Sequence, residues 1–206
     1  MVQALQKTLT LEEFLKLPET KPAGEYVNGQ IIQKPMPQGK HSKLQEELVG
    51  AVNTIAKPQK IAYAFPELRC TFGGRSIVPD IAVFTWERIP LDENGDIANV
   101  FGVAPDWTIS FARAKGNEIL SPDQNPTKVT RNILHCLSHG CRAGWLIDAD
   151  VRSILVYPSG QQPIFFRPLA KVYFLNEFLI VVASHFATYA RSLLKSLTKN
   201  YPFQAW

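Results

Sequence analysis

The sequence predicts an α/β (α+β) domain: a mixed central β-sheet flanked by helices. Segments of helical period alternate with short runs of strand character along the chain. Tight-turn dipeptides, Asn28-Gly29 and Gly73-Gly74, separate neighbouring runs. Apolar residues make up 46% and charged residues 19% of 206 residues, a globular balance that excludes a disordered chain.

The elements follow in order. Thr10-Leu-Glu-Glu13 is a capping box, in which a hydroxyl and a carboxylate satisfy each other's backbone donors, so a short helix is expected from Leu11 to Leu17, stopped by Pro18. Glu25 to Ile32 reads as a hairpin around Asn28-Gly29, residues that tolerate the positive φ of a type I′ turn. A long amphipathic helix is expected from about His41 to Ala56, with Leu44, Leu48, Ala51, Val52 and Ile55 on one stripe. Ile61 to Phe72 and Ile77 to Phe84 read as two strands joined through Gly73-Gly74. Residues 87–103 are polar and irregular, and a strand resumes at Trp107-Thr-Ile109. Glu118-Ile-Leu120 is a further strand piece, and Thr127 to Ser138 is helical with Gly140 as its C-terminal cap. Arg142 to Ile147 and Ser153 to Tyr157 are strands, all on one mixed sheet. The tail beyond Phe178 is apolar, then basic, and is expected either to form a helix over 183–196 or to be a replaced, poorly ordered end.

Bulk properties bound the function. A net charge of +4 permits a nucleic-acid partner and equally fits a plain solvated surface. Three cysteines, Cys70, Cys136 and Cys141, form no disulfide framework, which favours a reducing cytoplasm. The longest apolar run, Phe178 to Ala183, falls far short of the roughly 20 residues that span a bilayer, so no membrane attachment is expected.

Two acids carry the chemistry. Val78-Pro79-Asp80 sets a carboxylate at the edge of the apolar run Ile-Ala-Val-Phe, where burial is costly without a neutralising partner. Glu118 opens a second apolar piece. Carboxylates on neighbouring strands could share one Mg²⁺ (or Mn²⁺), which lowers the pKa of a bound water and stabilises charge on a phosphate. Either acid alone fits a structural role, Asp80 in a turn and Glu118 at a solvated strand end. His135, Cys136, His139 and Cys141 resemble a metal cluster, but the segment is helix core and cap, so Cys136 is expected buried and the histidines on the surface. Ser121 has no nucleophile elbow around it, and no phosphate-cradling glycine loop is present.

Gly24 to Gly29, His41-Ser-Lys-Leu44, Val78 to Val83, Glu118 to Ser121 and Gly144 to Asp148 resemble, in that order, the Uma family, candidate nucleases of the PD-(D/E)XK restriction-endonuclease-like fold. The resemblance implies a domain over 9–170 with a divergent tail over 171–206. It also implies metal-dependent phosphodiester hydrolysis with DNA as partner. Asp80 and Glu118 would bind metal, with the Ile119 carbonyl as a third ligand, and Glu25 would support the site. His41 matches a family residue of unassigned role, and capping of the helix N-terminus is its simplest one. A homodimer would suit double-strand cleavage.

The chain departs from the family pattern. The lysine two residues after the second acid is absent, because position 120 is Leu. In the family that lysine often moves to the following helix, near position 132, which is Asn132 here. Lys128 lies one turn earlier on the same face and either reaches the metal site or is a surface lysine. Family members run from Pro-Asp-Trp-Thr-Ile directly into Glu-Ile-Leu-Ser-Pro, whereas here Ser110 to Asn117 intervene, an eight-residue insertion. A strand cannot absorb such an insertion in register, so it must bulge out or the strand must be rebuilt. Arg113 and Lys115 in it would approach the acids. Two functions therefore stand: a Mg²⁺-dependent DNA endonuclease in which Lys128 activates or orients the water, or a catalytically impaired nuclease-fold protein that binds nucleic acid or another partner.

Overall fold

The computed structural model describes residues 9–112, 126–149 and 151–166. The expected strand at Glu118, the residues Arg113 and Lys115, and the tail helix lie outside the described residues.

Helix α1 (Leu11–Leu15) opens on the capping box: Glu13 N–H donates to Thr10 Oγ1 at 3.1 Å, and Thr10 N–H to Glu13 Oε2 at 2.9 Å. Strands β1 (Gly24–Val27) and β2 (Gln30–Gln33) form the first hairpin, with Asn28 and Gly29 both left-handed at φ 51° and 83°. Helix α2 (Gly39–Ala56) buries Leu44, Leu48 and Val52 as expected, and Gln45 and Ala56 as well. Ile55, expected on that stripe, is 41% exposed. The buried line runs 44, 48, 52, 56 in steps of four, which turns position 55 off it.

Both long apolar runs divide. The expected strand 61–72 splits into β3 (Ala62–Pro66) and β4 (Cys70–Phe72), because Glu67 adopts a left-handed φ of 47°. The expected strand 77–84 splits into β5 (Arg75–Ile77) and β6 (Ile81–Thr85), where Pro79 brings no N–H for a ladder. The chain therefore crosses between two sheets rather than one. The smaller, antiparallel sheet has the order β2-β1-β5-β4. Gly73 and Gly74, at φ 56° and 75°, turn β4 into β5.

The central sheet is completed by β7 (Trp107–Ala112), β8 (Ala143–Asp148), β9 (Ser153–Pro158) and β10 (Ile164–Phe166), in the order β10-β9-β8-β7-β6-β3. It is mixed, since β7 and β8 pair parallel and the other neighbours antiparallel. Helix α3 (Pro126–Ser138) lies between β7 and β8 in sequence and packs on both, as a parallel pair requires of its crossover. Its approach is close: a Cβ on Gly144 would collide with the Ile133 side chain. Helix α2 covers the other face, where Leu48 and Val52 meet Val83, Ile109, Phe111, Trp145 and Ile147. Phe84, Cys136 and Cys141 form a second core with Cys70 and Phe72 of the smaller sheet.

The first three residues of the expected insertion are strand. β7 continues unbroken through Ser110, Phe111 and Ala112, paired with Leu146, Ile147 and Asp148. The alternation supports this continuation, because Phe111 falls on the core face beside Ile109.

Candidate active site

Asp80 lies at the end of the central sheet where β6 begins and β7 ends, and it is 7% exposed. Its Oδ2 accepts from Phe111 N–H at 2.8 Å. Lys34 Nζ donates to Oδ1 at 2.9 Å and to the Val78 carbonyl at 2.9 Å. His41 Nε2 stands 3.5 Å from the same Oδ1, with its ring edge-on to Phe111. Gln45 Nε2 and Glu67 N–H both donate to the Asp80 carbonyl, at 2.6 and 3.0 Å. A segment without ladder partners is thus held by side chains from α2 and by the strand break at Glu67.

His41, Glu67 and Asp80 each offer a ligand atom within 4.8 Å of the others. Two carboxylates and an imidazole suit a small divalent cation, the carboxylates for Mg²⁺ and the mixed set for Mn²⁺. The residues present fit such an ion in kind. Lys34 Nζ stands among them, 3.8 Å from Glu67 Oε1.

A second buried carboxylate lies on the other side of the Val78-Pro79 step. Glu25, 4% exposed on β1, accepts from Val78 N–H at 2.9 Å through Oε1. Its Oε2 faces Lys128 Nζ at 3.2 Å and Asn132 Nδ2 at 3.4 Å. Lys128 is therefore no surface lysine: it is largely buried and pairs with Glu25. Asn132 shares that contact. The two nests are joined through one residue, since Val78 N–H binds Glu25 while the Val78 carbonyl binds Lys34.

Of the residues named from sequence, Asp80 and His41 come together, as do Glu25, Lys128 and Asn132; Glu118 lies outside the described residues. The capping role expected of His41 does not hold. The cap of α2 is Gln38, and His41, inside the first turn, aims its ring at Asp80. Ser110 follows the Ile81–Ile109 pair, so the strand position expected for the second acid carries a hydroxyl here. Lys34 and Glu67 were not singled out from sequence. Lys34 sits in a Pro-rich connection with no periodicity to tie it to Asp80, 46 positions away. The break at Pro66-Glu67 was the only signal for Glu67.

The histidines near the end of α3 build no metal site with the cysteines. His135 is buried rather than on the surface, stacks on Phe72 and has its Nε2 3.2 Å from the Phe72 carbonyl. His139 Nδ1 lies 2.8 Å from the His135 carbonyl. Burial lowers the pKa of His135, partly countered by the Phe72 carbonyl. Cys136 is fully buried and Cys141 turns its thiol to the carbonyls of Asp106 and Ala143. Burial pushes the Cys141 thiol up to about 12.

Fold and site together define a nuclease-like α+β domain. Residues 11–178 match the Uma2 family model, described as "Putative restriction endonuclease". The chain belongs to this family. It is similar to a crystal structure described as a "putative nuclease belonging to DUF820" from Anabaena variabilis ATCC 29413, with 57% identity and a TM-score of 0.71 over 82% of this chain and 92% of that one. No curated protein matches the chain. No helix among the described residues is long and apolar enough to cross a membrane.

Proposed function

We propose that this chain is a divalent-metal-dependent endonuclease that hydrolyses DNA phosphodiester bonds, with Mg²⁺ or Mn²⁺ as the ion. The observation that carries the reading is the buried Asp80 carboxylate at the sheet end, with His41 and Glu67 within ligand distance, in a chain of a nuclease family. Asp80 holds the ion, with His41 and Glu67 beside it; Glu118 is the further acid that the resemblance assigns. A bound ion lowers the pKa of its water and offsets charge on the phosphate. Phe111 N–H and Gln45 fix the aim of Asp80, so the carboxylate need not reorganise on binding. Glu25, bound to Val78 N–H two residues before Asp80, holds Lys128, whose ammonium would orient the attacking water or meet a phosphate oxygen.

Asp80→Asn keeps the shape and removes the charge. Plasmid cleavage with Mg²⁺ or Mn²⁺ in excess is expected to fall by about 100-fold or more. Equal rates in Asp80→Asn and wild type overturn the reading.

A second reading has its own observation. β7 runs in register through Ser110 to Ala112, so a hydroxyl, Ser110, takes the strand position at which the family resemblance expects the second acid. A chain so built is an impaired nuclease that retains nucleic-acid binding. Deleting residues 110–117 joins Ile109 to Glu118. A rise in cleavage after the deletion favours this reading; loss of existing cleavage with the fold intact rules it out.

A further inference from the structure

We infer that Lys34 is a built-in cation at the metal position, which a divalent ion must displace to bind. This rests on the metal-site reading of Asp80 above. The surroundings of Lys34 Nζ resemble the shell of a bound ion. It has Asp80 Oδ1 and the Val78 carbonyl at 2.9 Å each and Glu67 Oε1 at 3.8 Å, and its side chain is 14% exposed.

The competition follows from the use of the two Asp80 oxygens. Oδ2 is engaged by Phe111 N–H within the strand ladder. Oδ1 is left for a cation, and Lys34 Nζ and the His41 ring both converge on it. An ion on Oδ1 would sit at about 2.1 Å from the oxygen, beside the ammonium and sharing the same partners. Two positive charges at that spacing repel strongly in a half-buried site. The ammonium is the one that can leave. Lys34 follows the end of β2, its N–H donates to the Ala23 carbonyl, and its charge rides on a flexible four-carbon stem. Glu67, 44% exposed by its side chain, marks the way out and remains a partner for the displaced ammonium.

Without metal, Lys34 neutralises a buried carboxylate that would otherwise be costly. With metal, the same residue weakens the apparent affinity, because its contacts must first be broken. The site thereby acquires a concentration threshold for the ion. A purely structural lysine predicts the opposite, since its loss would loosen Asp80 and weaken metal binding.

The test is Mn²⁺ titration by calorimetry on the full chain, together with the shift of melting temperature that Mn²⁺ causes. Lys34→Gln removes the charge while its amide can still donate to Asp80. It is expected to bind Mn²⁺ on the order of tenfold or more tighter than wild type, with a larger thermal shift. Lys34→Arg keeps the charge and is expected to show no gain, and Asp80→Asn added to Lys34→Gln is expected to abolish binding. Equal affinity in wild type and Lys34→Gln overturns the inference and leaves the metal site standing. Weaker binding in Lys34→Gln overturns it in favour of a supporting lysine. No binding in any variant at millimolar Mn²⁺ removes both the inference and the metal reading beneath it.

Discussion

The dipeptide Pro-Asp precedes a buried strand twice, and the two aspartates have opposite surroundings. Pro79-Asp80 leads into β6 and Pro105-Asp106 into β7; because these strands are antiparallel, the acids lie at opposite ends of the central sheet. Asp106 is fully buried. Its Oδ2 accepts from Thr85 N–H at 2.8 Å and Thr85 Oγ1 at 3.1 Å, and its Oδ1 faces Arg88 Nη1 at 2.7 Å and Arg142 Nε at 3.2 Å. Its carbonyl also accepts from Arg142 N–H at 2.7 Å. Those partners close β6, β7 and β8 onto one residue. Asp80 has one ladder amide, a lysine and a histidine. Arginine is planar, permanently charged and weakly hydrated, which suits a permanent internal tie. Lysine and histidine can be displaced by a competing cation. A carboxylate built to stay paired and one able to exchange its partner thus differ in the cations around them more than in burial.

The largest expected effect breaks this contrast at its structural end. Asp106→Ala orphans the buried Thr85 N–H and removes the carboxylate that Arg88 and Arg142 face, and it is expected to lose about 3–5 kcal/mol in urea unfolding. Asp80→Ala is expected to lose less, about 1–3 kcal/mol, from the orphaned Phe111 N–H and the lost partner of Lys34, whose ammonium keeps Glu67, while abolishing the thermal shift caused by Mn²⁺. If Asp80→Ala is the more destabilising, the division of roles is reversed. Next in size, Gly144→Ala forces α3 off the β7–β8 pair that serves both ends. It is expected to cost about 1–3 kcal/mol without changing which acid responds to metal, as paired melts with and without Mn²⁺ would show.

Cys141 reports on the Asp106 end alone. With its thiol pushed up to about 12 and buried against the Asp106 carbonyl, it should resist iodoacetamide in the folded chain. Asp106→Ala is expected to expose it to labelling in conditions where Asp80→Ala does not; mass spectrometry of the peptide distinguishes them. The smallest effect is that of pH. His135 is neutral in the fold because burial lowers its pKa from 6.5, while the unfolded chain takes up the proton near that value. Its contribution to stability is therefore full above about pH 6.5 and shrinks as the pH falls below it. Replacing His135 by Gln should flatten that slope in denaturation curves taken between pH 5 and about 8.

Local chemistry made much of this fold legible. The Thr10–Glu13 box, the Asn28-Gly29 turn and the helices α2 and α3 depend on residues a few positions apart, and they stand where the sequence put them. The division into two sheets was not legible, because it depends on a left-handed Glu67 inside an apolar run. The alternation Trp107-Thr-Ile-Ser-Phe111 carries the signal for the strand through Ser110 to Ala112, although the family pattern expects an insertion there. Within the site, Asp80 was legible as an acid beside an apolar strand, and Glu25 only through the family resemblance. The choice of Lys34 over Lys128 as the partner of Asp80 was not, since it rests on which loop folds over which sheet end.

The link through Val78 has a kinetic side. Glu25 joins Asn132 across 107 positions of sequence, and Lys34 joins Asp80 across 46. Contacts of such span close large loops and are slow to form relative to the local turns and helices. The first hairpin supplies both Glu25 and the approach to Lys34, so both polar nests wait on its docking. A growing chain can complete the hairpin, α2 and β3 to β6 before α3 has been made, and Glu25 then has neither Lys128 nor Asn132 to meet. The order of synthesis thus makes α3 the last piece of the second nest, and backbone amides around Val78 should gain their protection from hydrogen exchange only when the crossover helix has docked.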